Sequence, residues 1–136
     1  MELDKSLTIA FAGMQAQSQR LKVISENIAN ADSTAQTPDG DPYKRKLISF
    51  SDELDRSQGI DLVKVSGVTQ VEGGFGRLYQ PGNPAADPSG YVKTSNVNTI
   101  TEMMDMREAQ RSYDANLNVI DAAKAMLTRT IDLLRG

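Results

Sequence analysis

The sequence predicts a mainly α fold with a β-rich insert. Long N- and C-terminal helices are expected to pair as an antiparallel-type coiled coil, with a small irregular β region between them. Three observations carry this. Apolar residues recur at spacings of three, four and seven at both ends of the chain. All five prolines (Pro38, Pro42, Pro81, Pro84, Pro88) and eight of the ten glycines lie in the middle, so helix breakers spare both ends. Aromatic residues make up only 5% of the 136 residues, too few for a large aromatic core. The expected parts are an N-terminal coiled-coil helix over 1–31, a β-rich or irregular segment over 32–98, and a C-terminal coiled-coil helix over 99–136.

The first arm runs from about Leu3 to Asn30. Its stripe is Leu3, Leu7, Ala10, Met14, Leu21, Ile24, Ile28 and Ala31, widened by Phe11 and interrupted by Gln17. Asn27 and Asn30 near its end suit freed carbonyls or a left-handed closing residue.

The middle carries short β-prone runs at Tyr43 to Phe50, Leu62 to Val65, Val68 to Val71, Phe75 to Tyr79 and Tyr91 to Lys93. Ser66-Gly67 is expected to be a bend, bulge or hairpin turn.

The second arm runs from about Ile100 to Leu134. Thr99-Ile100-Thr101-Glu102 fits a capping box. A 3,4 alternation follows through Met103, Met106, Gln110, Tyr113, Leu117, Ile120, Lys124, Leu127, Ile131 and Leu134. A helix of about 35 residues is about 52 Å long, more than the small middle can cover. Its stripe needs a partner helix. Whatever the first arm leaves bare is a liability in a monomer and an interface in a polymer.

Composition excludes most chemistry. There is no Cys, so no disulfide, thiolate metal site or cysteine nucleophile. There is no His, which removes the usual general base and the commonest metal ligand. Lys and Arg number 15 against 18 Asp and Glu, and the net charge of −3 argues against nucleic acid. The start, Met1-Glu2-Leu3-Asp4-Lys5, lacks a signal-peptide pattern. Any exit from the cytoplasm is expected to proceed without a cleaved leader. No apolar run reaches the roughly 18 residues of a membrane span.

The remaining candidates are weak. Asp52, Glu53 and Asp55 are the densest acidic cluster, but on one local segment they suit a solvated surface better than acid/base catalysis. Asp39-Gly40-Asp41 lacks the alternating ligands and closing Glu of a calcium loop. Gly73-Gly74-Phe75-Gly76 lacks the Lys-Ser/Thr of a phosphate loop. Lys44-Arg45-Lys46 is expected to pair with nearby acids or face water. No catalytic, cofactor or metal site is expected, and no small-molecule substrate.

Ser25-Glu26-Asn27-Ile28-Ala29-Asn30, followed by Thr34, resembles the N-terminal signature of flagellar axial proteins, the family of rod, hook and hook-associated subunits. Arg111-Ser112-Tyr113-Asp114-Ala115-Asn116 with Ala123-Lys124-Ala125-Met126-Leu127 resembles its C-terminal partner. Pro42 to Lys46, Tyr79 to Pro84, Gly90-Tyr91-Val92 and Asn96-Val97-Asn98 are similar to the middle of the short proximal-rod subunits. Asn83 stands where that subtype often carries His, and Ser95 where it often carries Pro. The resemblance spans essentially the whole chain.

It implies a structural subunit, not an enzyme, of the proximal rod of the bacterial flagellar basal body. Such subunits assemble helically with other rod subunits and copies of themselves into a hollow, torque-transmitting shaft. They reach the periplasm through the flagellar export apparatus, without a cleaved leader and without a membrane span of their own. Leu7, Phe11, Met14, Leu21, Ile24 and Ile28 are then expected to meet Leu117, Ile120, Leu127, Ile131 and Leu134, with Met103, Met106 and Tyr113 on the same interface. Asn27, Asn30 and Asn116 are expected to bond backbone groups at helix ends or across helices. Gln110 and Lys124, polar on the stripe, either set register or are simply exposed. The rival readings are a coiled-coil adaptor or chaperone unconnected with flagella, and a small enzyme using the central carboxylates.

Overall fold

The computed structural model describes residues 2–136, so Met1, where the first expected segment begins, lies outside the described residues. The order of elements is α1 (Glu2–Ala29), β1 (Lys46–Asp55), β2 (Ile60–Gln70), β3 (Gly76–Tyr79), β4 (Tyr91–Thr94) and α2 (Thr99–Arg135). Two long helices thus flank two two-stranded sheets, β1-β2 and β3-β4.

Glu2 and Asp4 in the first turn of α1 complement the helix dipole. The helix gives way after Ala29, where the Asn30 side chain donates to the Glu26 carbonyl at 2.8 Å. No Gly or Pro interrupts α2. Its start differs from the expected capping box. Asn98 is the cap, its Oδ1 accepting the N–H groups of Ile100 (3.0 Å) and Thr101 (3.3 Å). Glu102 is drawn inward by a cationic partner instead of turning back to the first turn.

The hairpin also differs. β2 runs straight through Ser66-Gly67, and the reversal occurs over Arg56 to Gly59. Asp55 organises it: its Oδ1 accepts the Ser57 N–H at 2.9 Å and the Ser57 hydroxyl. The Gly59 N–H closes back on the Asp55 carbonyl at 2.8 Å. Gly59 has φ 66°, a conformation that favours glycine. Those Ser57 contacts hold the Asp55 carboxyl below its usual range. The acidic residues 52–55 therefore lie in the strand and at its end.

The chain forms two compact units. One comprises residues up to Leu21, Ser49–Gly67 and Arg107–Gly136; the other comprises Lys22–Ile48 and Val68–Met106. Ala10, Ala16, Ala109, Ile120 and Ala123 are the buried apolar residues of the first. Val23, Ile24, Ala35, Ala85 and Val92 are those of the second.

In the second unit, β3 and β4 are antiparallel, with Arg77 opposite Lys93 and Tyr79 opposite Tyr91. The loop joining them hangs on Asp87. Its Oδ1 accepts the N–H groups of Ser89 and Tyr91, both at 2.9 Å, and its Oδ2 accepts from Arg77 at 2.8 Å. The Arg77 guanidinium lies 4.9 Å from the centre of the Tyr91 ring, and Tyr79 meets that ring edge-on at 5.3 Å. The Tyr91 N–H, foremost, holds the Asp87 carboxyl below its ordinary value of 3.8. A lowered folded-state pKa means the contribution to stability is present above 3.8 and is lost as pH falls through the lower folded value. In an acid titration followed by NMR, the Ser89 and Tyr91 amides are expected to shift together with a midpoint below 3.8. A midpoint at or above 3.8 would contradict this arrangement.

Candidate functional site

The most thoroughly bonded polar group lies in the second unit, where the last turn of α1, the segment 43–46 and the first turn of α2 converge. Asn27 is 1% exposed and uses all four of its hydrogen-bonding positions. Its Oδ1 accepts the Lys46 N–H at 2.9 Å and the Tyr43 hydroxyl at 2.8 Å. Its Nδ2 donates to the Lys46 carbonyl at 2.9 Å and to Glu102 Oε2 at 3.2 Å. The amide thus pairs with Lys46 as a neighbouring strand would.

Glu102, also 1% exposed, is the largest fully buried side chain among the described residues. Its second oxygen accepts from Arg45 Nε, and Arg45 reaches Asp105 at 3.4 Å. Lys46 pairs with Glu26 at 3.1 Å. Burial, ahead of its charged neighbours, pushes the Tyr43 hydroxyl pKa up. The same segment is tied at Arg45, whose N–H donates to Asn96 Oδ1 at 2.7 Å. Asn96 in turn donates to the carbonyls of Val71 and Gly73, both at 2.9 Å. Every charge in this cluster has a partner, and no nucleophile in it is poised for a substrate. It clasps three chain segments together.

The other acidic and basic motifs are equally occupied. Glu53 pairs with Lys64 at 2.8 Å, Asp55 organises its turn, and Asp52 faces solvent, so the three do not converge. Asp41 lies 3.8 Å from Lys44 and 3.4 Å from Lys93. Lys44, Arg45 and Lys46 pair with Glu72, Glu102 and Glu26. Among the described residues no three His, Cys, Asp or Glu side chains could hold a metal ion together. Gly73 and Gly74 have φ values of 76° and 70°, a turn at the entry to β3.

In the first unit α1 meets α2 through small side chains. A Cβ added to Gly13 would stand 2.7 Å from Asn116 Nδ2. Seven residues further along α1, Arg20 reaches back to Glu108 of α2 at 3.6 Å, so the two helices run in opposite directions there. The inward row of α2 is offset from the expected stripe. Glu102, Ala109 and Ala123 are buried and Asn116 is turned to Gly13, whereas Met103, Gln110, Leu117 and Lys124 are exposed. Met106, Tyr113 and Ile120 lie on both rows. On α1 the same one-residue offset puts Gly13, Arg20 and Asn27 where Met14, Leu21 and Ile28 were expected. Close helix approach selects small residues for the contact, and the largest apolar residues are displaced to the flank.

Of the expected interface residues, Ile24, Asn27 and Ile120 are buried. Leu7, Met14, Leu21, Ile28, Asn30, Met106, Tyr113 and Asn116 are half-buried. Phe11, Met103, Leu117, Lys124, Leu127, Ile131 and Leu134 are exposed. From Lys124 to Arg135 every residue of α2 is exposed, and Leu134 is 84% so. Asn27 donates to the Lys46 carbonyl and Asn30 to the Glu26 carbonyl near the end of α1, whereas Asn116 donates to the Ser112 carbonyl at 3.0 Å in the middle of its own helix, neither at a helix end nor across helices. The sequence reading missed Arg45, Glu102 and Asp105 as one network. The only signal was an acid at 102 in a row otherwise rich in apolar residues.

Two family profiles match the ends of the chain: flagella basal body rod protein over residues 7–35, and the C-terminal part of the flagellar basal body rod FlgEFG proteins over residues 89–133. The chain is similar to the flagellar basal-body rod protein FlgC of Agrobacterium fabrum, with 52% identity covering 98% of this chain and 96% of that one. The chain belongs to the FlgC family of flagellar basal-body rod proteins. FlgC of Salmonella typhimurium is 41% identical over 98% of both chains. FlgC of Borreliella burgdorferi is 37% identical over the full length of both. This FlgC-family chain is accordingly a structural subunit of the flagellar basal-body rod and not an enzyme, and the adaptor reading is not favoured. No described helix is long and apolar enough to cross a membrane.

Proposed function

We propose that the chain is a proximal-rod subunit. Its two helices pair as a coiled coil within the rod, and their outward apolar flanks pack against copies of itself and other rod subunits. Subunits related by a screw operation then build part of a hollow shaft that transmits torque, because a heterologous contact that does not close into a ring extends indefinitely. The segments 1–31 and 99–136 carry the assembly contacts, and 32–98 selects neighbours. The subunit travels through the flagellar export apparatus to the periplasm without a cleaved leader.

The observation that supports this most is the bare flank of α2. Leu117, Leu127, Ile131 and Leu134 are 39%, 46%, 45% and 84% exposed, while Ala109, Ile120 and Ala123 are the buried apolar residues of α2. Phe11 is 54% exposed and Met103 52%; apolar surface of this kind is disfavoured in water, and a neighbour would cover it. Leu7, Met14, Leu21 and Ile28 of α1 are half-buried. Gln110 and Lys124 belong to the same flank, where they select partners.

Leu127→Asp tests the reading. Leu127 is 46% exposed, so the isolated chain should keep its circular dichroism spectrum and its urea midpoint. Rod assembly should fail, because the interface would bury an unpaired charge. Normal motility and normal rods in cells carrying Leu127→Asp would overturn the proposal.

A further inference from the structure

The sheet β3-β4 has one satisfied edge and one open edge. In an antiparallel pair, alternate residues turn both backbone groups away from the partner. The Gln80 N–H donates to the Gly90 carbonyl at 2.9 Å, which sets the phase: Tyr91 and Lys93 of β4, and Arg77 and Tyr79 of β3, point outward. On the β4 side most of those groups are taken. Tyr91 exchanges bonds with Asp87, the Lys93 carbonyl accepts from Ala35 at 3.2 Å, and Ser95 donates to Ser33 at 3.2 Å. On the β3 side the outward groups of Arg77 and Tyr79 have no partner among the described residues. All four residues of β3 are exposed, and no Pro or Lys protects this edge.

β1 carries a matching open row. Arg45 and Asp55 direct their carbonyls to the Val71 and Gly59 amides on the hairpin side. Lys46, turned the other way, gives both backbone groups to Asn27. The alternation then turns Ile48, Phe50, Asp52 and Leu54 outward, and among the described residues no third strand joins the β1-β2 sheet.

We propose that the open edge of β3 receives β1 of a second copy of the chain, antiparallel, with Arg77 opposite Asp52 and Tyr79 opposite Phe50. This register places a cation against an anion and one ring beside another, the cross-strand pairs that stabilise sheets. Sliding by two residues sets Arg77 against Phe50 or Leu54 and forfeits both matches. β1 is favoured over β2 by charge: it holds Asp52, Glu53 and Asp55 against Lys46, whereas β2 holds Asp61 against Lys64. Acceptor and donor edges are different surfaces, so the contact propagates and does not close as a dimer. The inference rests on the reading of the chain as a subunit that contacts copies of itself.

The chain has no cysteine, which makes the test clean. In the proposed register Leu78 faces Ser51 as a non-hydrogen-bonded pair, with Cα atoms about 4.5 Å apart and within disulfide range. Purified full-length chain carrying Leu78→Cys is mixed with chain carrying Ser51→Cys under mild oxidation. The mixed disulfide should form about tenfold faster than either homodimer, as expected of an edge-to-edge strand pairing. Adding Arg77→Pro or Tyr79→Pro to the Leu78→Cys chain should abolish that preference with circular dichroism unchanged, since each proline removes an outward N–H that β4 does not use. Equal rates for mixed and like pairs, dominance of the Leu78→Cys homodimer, or indifference to both prolines would each overturn the proposal. Its failure is separable from failure of the assembly reading, which the Leu127→Asp cells report.

Discussion

Glu102→Ala is expected to destabilise the second unit by about 3 kcal/mol, the lower end of the range for breaking a buried ion pair. The carboxylate is 1% exposed and accepts from both Arg45 and Asn27. Its loss leaves the Arg45 guanidinium with Asp105 alone, at 3.4 Å, and one Asn27 N–H without an acceptor. The lower end applies because the Arg45 side chain remains 23% exposed and recovers some hydration. Glu102→Gln keeps an acceptor for Asn27 and should lose less. Urea denaturation of the full chain measures both. A loss under about 1 kcal/mol for the alanine variant, the scale of an exposed pair, would show that the cluster is not a clasp.

Asn27→Leu should have an effect of similar size, about 3 kcal/mol or more, since leucine of comparable volume leaves the Lys46 N–H, the Lys46 carbonyl and the Tyr43 hydroxyl unpaired, at about 1–3 kcal/mol for each group fully buried. Asn27→Asp is the sharper variant. It keeps the acceptor for Lys46 and Tyr43 but sets a second carboxylate where an N–H now lies 3.2 Å from Glu102. Adding Glu102→Gln restores a donor facing an acceptor at that position. The double variant should therefore be more stable than Asn27→Asp alone, giving a favourable coupling of about 1–3 kcal/mol in the cycle. Additive losses would place the two residues in separate roles.

Both predictions concern residues whose importance was only partly visible in the chain. Asn27 stood out through its setting in Ser25 to Asn30. Glu102 was assigned to a capping box because Thr99 precedes it by three residues. That local rule describes an isolated helix end. Here Asn98 provides the cap, and the carboxylate follows Arg45, which lies 57 residues away in sequence. The hairpin offers a similar lesson. Ser66-Gly67 has turn-forming residue types, but Asp55 bonds Ser57 and Gly59 relieves a positive φ, so the reversal settles there.

Alone, the order of residues determined the two long helices, the concentration of irregular structure between them, and the absence of histidine and cysteine chemistry. Those follow from periodicity, from breaker placement and from residue types, all local or compositional properties. Only the tertiary structure decided which row of each helix turns inward. The expected stripe runs through Met103 and Leu117, yet Gly13 of α1 faces Asn116 of α2 so tightly that an added Cβ would stand 2.7 Å from the amide nitrogen, a contact that only a residue without a side chain permits. The large apolar residues are consequently left outside, and which of two adjacent rows plays which part depends on a fit between segments about a hundred residues apart in sequence, something no local pattern encodes.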